Sequence, residues 1–209
     1  MSDSADVLGS SPSEQGGDHF RTAYDAGPPP WDIGRPQSPF VELADEGVLA
    51  GRVLDVGCGT GEHALMAAAR GFDATGIDAV PRAIELAQRK ARDRGLNARF
   101  LVWDALKLPD LGEQFETVLD CGLFHVLNDE HRARFVAGLG RIIPAGGHYY
   151  MLCFSDRQPG TLGPRRVSQS EIREAFARDW RVDAIEDVII DTNFDDPGVR
   201  AWRARIARI

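Results

Sequence analysis

The segment from Val53 to Gly61 constrains the fold of this chain more than any other. It reads Val-Leu-Asp-Val-Gly-Cys-Gly-Thr-Gly, so a short apolar run leads directly into a glycine-rich turn. The alanine-rich run 62–69 that follows is typical of a helix. Glycine adopts backbone conformations that other residues avoid, and its missing Cβ lets a ligand approach the main chain. A strand, turn and helix in this order predict a nucleotide site at the carboxyl edge of a parallel sheet.

The residue types around the turn indicate which nucleotide it binds. A dinucleotide-binding turn has the pattern G-x-G-x-x-G, but Glu62 stands where the third glycine belongs. A carboxylate at that position disfavours a pyrophosphate. The phosphate-binding pattern G-x-x-x-x-G-K-[ST] does not occur in the sequence. Asp55 favours a ligand that carries positive charge, and S-adenosylmethionine, with its ammonium and sulfonium groups, meets that requirement.

Four motifs resemble those of the class I S-adenosylmethionine-dependent methyltransferases. They are the segments 55–61, 76–78, 100–105 and 115–122, and together they span roughly residues 50 to 155. In that family the first motif holds the methionine part of the cofactor, and the second and third supply acids for the ribose and the adenine. The fourth motif lies beside the transferable methyl group. The resemblance implies S-adenosyl-L-methionine as cofactor and S-adenosyl-L-homocysteine as product.

The resemblance also assigns the cofactor site residue by residue. Asp78 is expected to bind the ribose hydroxyls, and Asp104 to contact the adenine amino group. Other roles remain open: Asp78 as the N-cap of a helix from Pro81, Asp104 as a solvated loop residue, and Asp120 as a support for the backbone at a buried strand end. The predicted cofactor-binding residues are Trp31, Arg35, Asp55, Gly57, Cys58, Gly59, Gly61, Asp78, Ala79, Asp104, Ala105, Asp120 and Cys121.

A proline-rich segment upstream of the first strand carries a further resemblance. The run Trp31-Asp32-Ile33-Gly34-Arg35-Pro36 is similar to a tryptophan-containing stretch of thiol, halide and thiopurine methyltransferases, in which it closes over the cofactor. Residues 20–209, including 119–125, resemble mycobacterial methyltransferases that act on heterocyclic toxins. The resemblance implies an N-terminal lid over 19–50, and a core-anchor role for Trp31 is the alternative. A loop stiffened by prolines loses little backbone entropy when it orders, so it is suited to exclude water.

The alternation of strand and helix patterns predicts the fold class. Strands are expected near residues 52–56, 73–77, 98–103, 116–120, 148–154 and 181–190. They predict an α/β fold with a Rossmann-like, doubly wound, seven-stranded sheet, mostly parallel, with helices on both faces. In the last run Trp202, Ala204 and Ile206 alternate with arginines, which predicts an antiparallel closing strand, with a short helix as the alternative. Residues 1–18 are expected to form a disordered tail before a single domain over 19–209.

Charge and composition limit the classes of partner. The 209 residues carry a net charge of −8 and a pI near 5.1, and an acidic surface repels nucleic acid. The sequence contains neither a long apolar stretch nor a secretory leader. We therefore expect a cytoplasmic protein without membrane contact, present as a monomer or weak homodimer.

Cys58, Cys121 and Cys153 are each expected at a strand end. A metal site completed by His63 or His125 is conceivable, but without a C-x-x-C pair no metal is predicted.

The acceptor site is predicted from residues near the fourth motif, the fifth strand and the lid. His125 is the candidate general base, since an imidazole titrates in the right range; a packing role is the alternative, and an acceptor that arrives ionised needs no strong base. Arg166 is expected either to bind an anionic substrate oxygen or to remain a solvated charge. The predicted substrate-binding residues are Phe20, Tyr24, Trp31, Phe124, His125, Phe154 and Arg166.

These features predict a small-molecule methyltransferase. The acceptor is expected to be an oxygen or nitrogen of a small heterocyclic or aromatic compound, and the expected role is xenobiotic or toxin detoxification. Thiol or halide methylation is the alternative, and a non-catalytic cofactor-binding protein is a third reading. A nucleic-acid amino-methyltransferase carries [DN]-P-P-[YFW] at the fourth motif, where this chain has Asp-Cys-Gly-Leu over 120–123. A cytosine C5 enzyme needs a Pro-Cys nucleophile, and this dipeptide does not occur either.

Overall fold

The protein is described by a computed structural model over residues 12–161, 163–193 and 198–209, with side chains from Asp18 onward. The helices in these ranges are α1 (Pro12–Ala26), α2 (Ser38–Asp45), α3 (Glu62–Ala69), α4 (Pro81–Asp93), α5 (Asp129–Ile142) and α6 (Gln169–Ala175). Two 3₁₀ helices span Ala105–Leu111 and Phe124–Val126. The strands are β1 (Val53–Val56), β2 (Ala74–Asp78), β3 (Ala98–Val102), β4 (Thr117–Cys121), β5 (His148–Phe154), β6 (Trp180–Ile190) and β7 (Val199–Arg208). None of the helices within the described ranges has the length and apolar character needed to span a membrane.

The strands form one sheet in the order β3-β2-β1-β4-β5-β7-β6. Its pairs are parallel except for those of β7 with β5 and with β6. The predicted doubly wound sheet with an antiparallel last strand is therefore confirmed. The helix alternative for the last run is wrong, because Trp202 lies in register between Cys153 and Asp187. β1 lies between β2 and β4, and such a switch point in strand order is where α/β sheets bind ligands, at the carboxyl ends of the strands.

Helices cover both faces of the sheet, as predicted. Alternate side chains of β1 point to opposite faces. Val53 belongs to a core cluster with Phe40 of α2 and Met66 of α3, whereas Leu54 belongs to one with Phe135 of α5. All four residues of β1 are buried, as expected of a central parallel strand. The glycine turn therefore starts from a rigid position in the middle of the molecule.

The N-terminal helix begins earlier than the sequence predicts. α1 starts at Pro12, so residues 12–18 are helical where a disordered tail is expected, and residues 1–11 of that prediction lie outside the described residues. Proline suits the first turn of a helix, because its fixed φ matches the helix and the N–H that it lacks has no partner there. The same helix brings Tyr24 and Phe20 into a small apolar cluster with Trp31.

Candidate active site

A cavity of about 650 Å³ lies at the carboxyl ends of β1, β2 and β4, a size usual for a small-molecule or cofactor site. It brings together many of the predicted site residues: Phe20, Tyr24, Trp31, Arg35, Gly57, Cys58, Gly59, Asp78, Ala79, Cys121, His125 and Phe154. Its walls also hold residues that the sequence analysis did not assign to the site: His19, Asp32, Gln37, Thr60, Glu62, His63, Gly122, Leu123, Val126, Ile190 and Thr192. Several predicted residues do not line it: Asp55, Gly61, Asp104, Ala105, Asp120, Phe124 and Arg166.

The glycines of the turn have two different functions. Gly57 and Gly59 line the cavity with φ values of 67° and 53°, a region that side chains disfavour. A Cβ on Gly59 would lie 2.6 Å from the hydroxyl of Tyr24, so this space is closed to any other residue. Gly61 lies outside the cavity, and a Cβ there would lie 2.6 Å from the ring of Phe100. The ligand contact of Gly61 stays a prediction, and its absent side chain leaves the space that Phe100 occupies.

Asp55 is buried beneath the glycine turn and holds the start of α3. Its Oδ2 accepts a hydrogen bond from the backbone N–H of Ala64 at 3.1 Å. Its Oδ1 is buried without a hydrogen-bond partner and lies 3.8 Å from Nδ1 of His63. Burial raises the pKa of Asp55 to about 8. Asp55 does not line the cavity, and its contact with a cationic ligand stays a prediction; its hydrogen bond to Ala64 fixes the start of α3.

Asp78 lies on the cavity wall at the end of β2, where the ribose-binding acid is expected. Oδ2 accepts from the N–H of Gly59 and Oδ1 from the N–H of Val80, both at 2.9 Å. Burial raises the pKa of this carboxyl although both hydrogen bonds favour its ionised form. The residue at the N-cap of α4 is Val80, so the alternative role of Asp78 as that cap is wrong.

Asp104 is placed differently from Asp78. It is exposed, and its Oδ1 accepts from the backbone N–H of Leu106 at 2.8 Å as the N-cap of the first 3₁₀ helix. Neither Asp104 nor Ala105 belongs to the described cavity wall. The structure therefore favours the loop role of Asp104 over the predicted adenine contact.

Asp120 organises the loop that follows β4. Its carboxylate is fully buried and accepts from the N–H groups of Leu123 and Phe124 and from the hydroxyl of Tyr149, at 2.7, 3.1 and 2.6 Å. Burial raises its pKa to about 7, although these three hydrogen bonds oppose the change. The residue thus has the backbone-supporting role that the sequence analysis left open, and it does not line the cavity as a cofactor ligand.

Phe124 and its neighbour His125 point in different directions. Phe124 is fully buried in the core, where its ring stacks on Phe176 and lies under the guanidinium of Arg132. The predicted substrate contact of Phe124 is therefore wrong. His125 lines the cavity, since successive residues of a 3₁₀ helix project about a third of a turn apart.

The ring of His125 is held by the backbone of β5. The N–H of Phe154 donates to Nδ1 of His125 at 3.0 Å, and the two rings pack edge to face. Burial, together with the positive charges of Arg132 and Arg166, lowers the pKa of His125 to about 3. The imidazole is therefore neutral across the physiological pH range.

Arg166 braces the loop after β5. Its guanidinium donates to the carbonyl oxygens of Pro164 at 2.7 Å and Gln158 at 3.4 Å, and it lies 5.2 Å from the ring centroid of Phe154. It does not line the cavity, whereas Pro164 does. The predicted direct contact with an anionic substrate is not supported by this position.

The lid is joined to the glycine turn by a hydrogen bond that the sequence analysis missed. The hydroxyl of Thr60 donates to Asp32 Oδ2 at 2.9 Å. The adjacent Trp31 donates from its indole N–H to the hydroxyl of Tyr24 at 3.1 Å and meets the ring of Phe20 edge to face. Trp31 is thus both an anchor of the lid and part of the cavity wall.

A second set of contacts ties the lid to α3 and to the end of β6. The backbone N–H of Gln37 donates to Nε2 of His63 at 3.2 Å. The side chain of Gln37 accepts from the backbone N–H of Asp191 and donates to its carbonyl, both at 2.9 Å. Arg35 forms an ion pair with the Asp191 carboxylate at 2.7 Å. No sequence motif marks these contacts, because Gln37 and Asp191 are 154 residues apart.

Glu62, the anion that replaces a third glycine, is neutralised by α4. Lys90 and Arg94 donate to its carboxylate at 2.7 to 2.8 Å. The pKa of Glu62 is lowered from its usual value, because burial, which alone would raise it, is outweighed by the hydrogen bonds from Arg94 and Lys90. The wall of the cavity beside the turn therefore carries no uncompensated negative charge from this residue.

Cys58 and Cys153 are buried, and Cys121 is partly buried. Cys58, Cys121 and Cys153 are all free, and the first two line the cavity. Burial raises the pKa of each thiol. Over the described ranges, no group of three or more His, Cys, Asp or Glu side chains is arranged to hold a metal ion.

The cavity fits an adenosyl sulfonium cofactor. Gly57 and Gly59 leave the main chain of the turn open to a ligand, and the Asp78 carboxylate stands on the adjacent wall. The remaining walls are largely apolar, as a ligand with an aromatic base requires. The Glu62 carboxylate is paired with Lys90 and Arg94, so its negative charge is compensated and does not repel the carboxylate of the cofactor.

Comparison with known proteins supports the same cofactor. Residues 53–147 match the family model described as a methyltransferase domain. The 2-heptyl-1-hydroxyquinolin-4(1H)-one methyltransferase of Mycobacteroides abscessus is 38% identical over 180 residues, which are 83% of this chain and 79% of that enzyme. A structure from work on the conversion of a disulfide bond into a thioacetal group during echinomycin biosynthesis is 34% identical, with a TM-score of 0.82 over 91% of this chain and 92% of that one.

A more distant structure shows the same fold. The 1,6-didemethyltoxoflavin-N1-methyltransferase of Burkholderia thailandensis, solved with 1,6-didemethyltoxoflavin and S-adenosylhomocysteine, has a TM-score of 0.73 over 98% of this chain and 93% of that one, at 18% identity. The resemblance predicted from the four motifs is confirmed by the M. abscessus relative, which aligns along most of both chains. The chain belongs to the class I S-adenosylmethionine-dependent methyltransferases, and S-adenosylmethionine is its cofactor.

Proposed function

We propose that this enzyme transfers a methyl group to an oxygen or nitrogen of a small heterocyclic or aromatic acceptor. The observation that carries the proposal is the apolar end of the cavity next to the glycine turn, formed by Leu123, Val126 and Phe154, with the imidazole of His125 among them. A flat, weakly polar ring matches such walls. The M. abscessus relative, whose name gives a hydroxyquinolinone as its substrate, supports the same acceptor class.

The residues of the chain contribute binding, orientation and exclusion of water. When bound, the cofactor supplies an electrophilic methyl group on sulfur. Trp31 and Tyr24 line the cavity from the lid, and Phe154 lines it at the end of β5. Holding an acceptor in line in such a closed site supplies about 7–11 kcal/mol of the barrier reduction.

We extend the proposal to the role of the enzyme in the cell. It removes toxic or foreign heterocycles in the cytoplasm, as a monomer or weak homodimer, and it acts on small molecules rather than nucleic acid. The net charge of −8 supports the last point, because an acidic surface repels phosphodiester backbones.

An acceptor panel tests the proposal. Purified enzyme with S-adenosylmethionine is assayed on hydroxyquinolines, simple phenols, thiols and iodide, with methylated products identified by mass spectrometry. We expect transfer to oxygen or nitrogen of the ring compounds. Activity on thiols or iodide alone would replace the proposal with thiol or halide methylation. Cofactor binding by calorimetry without transfer to any acceptor would indicate a non-catalytic protein.

A further inference from the structure

We propose that His125 contacts the acceptor as a hydrogen-bond donor through Nε2–H, and that the enzyme therefore methylates acceptors that are already ionised. This inference rests on the proposed function, since it defines the acceptors of the same cavity. It replaces the general-base role that the sequence predicts for His125.

The orientation of the ring determines which nitrogen carries the proton. Nδ1 of His125 accepts a hydrogen bond from the backbone N–H of Phe154 at 3.0 Å, so this nitrogen is unprotonated. The neutral ring consequently has its proton on Nε2. A Cβ on Gly122 would lie 3.2 Å from Nε2, so the missing side chain keeps this side of the ring uncovered, and both residues line the cavity.

A second proton on the ring is disfavoured by its surroundings. His125 is buried, and the charged groups that face it are the guanidinium groups of Arg132 on α5 and Arg166 on the loop after β5. Both are positive, so they oppose an imidazolium, and the pKa of His125 is lowered to about 3. A ring that cannot accept a proton is a poor base, but it remains a good donor to an anion.

Other groups on the described cavity wall do not replace it as a base. Five other side chains on the wall could in principle accept a proton, but each already accepts a hydrogen bond from the protein. They are Tyr24, Asp32, Glu62, His63 and Asp78. The thiols of Cys58 and Cys121 have raised pKa values because they are buried. His19 is exposed at the rim, where its ring lies 6.1 Å from that of Trp31, and it is therefore the residue to test against His125.

The chemistry of the acceptor follows from this arrangement. The acceptor loses its proton to solvent before the transfer, and a lone pair of its anionic oxygen forms the new O–CH₃ bond. The S–CH₃ bond breaks and its electron pair stays on sulfur, so the negative charge of the acceptor and the positive charge of the sulfonium disappear together. The favoured substrates are phenols and N-hydroxy heterocycles that ionise at or below the working pH.

The pH dependence of transfer separates a donor from a base. For a series of phenols of different acidity, kcat/KM should rise with pH and level off at a pH that follows the acidity of each phenol. His125→Leu should lower kcat/KM for the anions by about 10- to 100-fold, the effect of a lost hydrogen bond to a charged group. His125→Asn, which keeps an amide donor, should recover part of the rate. If all acceptors shared one inflection in the pH profile of kcat/KM, an enzyme group and not the acceptor would titrate, and the proposal would be overturned. An inflection that disappears in His19→Gln or His125→Leu would overturn it as well, because that histidine would then be the base.

A binding measurement gives a readout that does not depend on turnover. The absorbance of 4-nitrophenol in the complex with enzyme and S-adenosylhomocysteine reports its ionisation. The bound phenol should ionise at a lower pH than the free phenol in the wild type, and this difference should shrink in His125→Leu and persist in His131→Gln, a control on α5 outside the cavity wall. Equal ionisation in wild type and His125→Leu, or no binding of the anion, contradicts the proposal. Absence of transfer to every oxygen or nitrogen acceptor would instead contradict the proposed function.

Discussion

The hydroxyl of Thr60 donates to the carboxylate of Asp32 at 2.9 Å and so connects the lid directly to the glycine turn. The same Thr60 oxygen receives a hydrogen bond from Lys90 of α4 at 2.6 Å. Asp32 follows Trp31, whose ring forms part of the cavity wall. The position of the lid tryptophan is therefore coupled to the turn through Thr60, and Lys90 lies 3.8 Å from the same Asp32 carboxylate.

Thr60→Val tests this coupling. Valine keeps the shape of the side chain but loses both hydrogen bonds of the Thr60 hydroxyl. The bond to Asp32 is the one that holds the lid, so the lid should be less ordered and S-adenosylhomocysteine should bind about 3- to 10-fold more weakly, the effect of one hydrogen bond of about 0.5–1.5 kcal/mol. Isothermal titration calorimetry measures the affinity, and amide hydrogen exchange measures the protection of residues 30–37. Thr22→Val, on the exposed side of α1, is the matched control. Unchanged exchange in the lid of Thr60→Val would show that the hydrogen bond does not hold it.

Gly59→Ala should block the cavity and destabilise the turn. The added methyl would lie 2.6 Å from the Tyr24 hydroxyl and would occupy a left-handed conformation, which costs about 1–2 kcal/mol for a residue with a side chain. The double variant Gly59→Ala/Tyr24→Phe removes the clashing oxygen but keeps the strained φ. We therefore expect calorimetric affinity for S-adenosylhomocysteine to be lost in the single variant and partly restored in the double one. Equal loss in both would mean that backbone strain alone closes the site.

Phe124→Ala should affect stability rather than substrate recognition. The ring is fully buried against Phe176 and Arg132, and its removal from the core should lower the free energy of unfolding by about 3–5 kcal/mol. Urea titration measures this loss, and steady-state kinetics at low temperature measure the KM of the acceptor on the fraction that remains folded. A changed KM with unaltered stability would return Phe124 to the substrate site.

The sheet and the turn could be predicted from the sequence because each depends on local patterns. The apolar runs at 53–56 and 74–78 and the glycines between them require only that a strand be buried and a turn be tight. The resemblance to known methyltransferases then supplied the cofactor. Local patterns were sufficient for the frame of the site, including the positions of Gly57 and Gly59.

The side chains around the frame could not be assigned in the same way. Asp55 is the penultimate residue of β1 and Asp78 is the last residue of β2, yet only Asp78 lies on the cavity wall. The difference depends on the pleat and on the packing of α3, neither of which appears in the residue pattern. Likewise, Phe124 and His125 are adjacent, and only the 3₁₀ geometry imposed by the buried Asp120 decides which of them faces the cavity.

His63 and Asp55 should change the pH dependence of stability in opposite directions. Burial lowers the pKa of His63 from 6.5 to about 4. The contribution of this residue to the free energy of unfolding is therefore fully present above pH 6.5 and is lost as the pH falls toward 4. Burial raises the pKa of Asp55 from 3.8 to about 8. The contribution of this residue to the free energy of unfolding is therefore fully present below pH 3.8 and is lost as the pH rises toward 8. Relative to wild type, the slope of unfolding free energy against pH should fall by up to about 1.4 kcal/mol per pH unit in His63→Gln and rise by as much in Asp55→Asn. Urea titrations between pH 4 and 8 measure both, and changes of the same sign would contradict the prediction.

Asp78→Ala and Asp104→Ala distinguish the two acids that the sequence assigns to the cofactor. Asp78 stands on the cavity wall, so its loss should weaken binding of S-adenosylhomocysteine by about 1.5–3 kcal/mol, the value of a hydrogen bond to a charged group. Asp104 is exposed and caps a 3₁₀ helix, so its loss should lower stability by about 0.5–2 kcal/mol, as for other N-caps, with little change in affinity. Calorimetry and urea titration on both variants separate the two effects. Comparable losses of affinity would show that the adenine end of the cofactor reaches Asp104 after all, and an unchanged affinity in Asp78→Ala would remove the ribose contact.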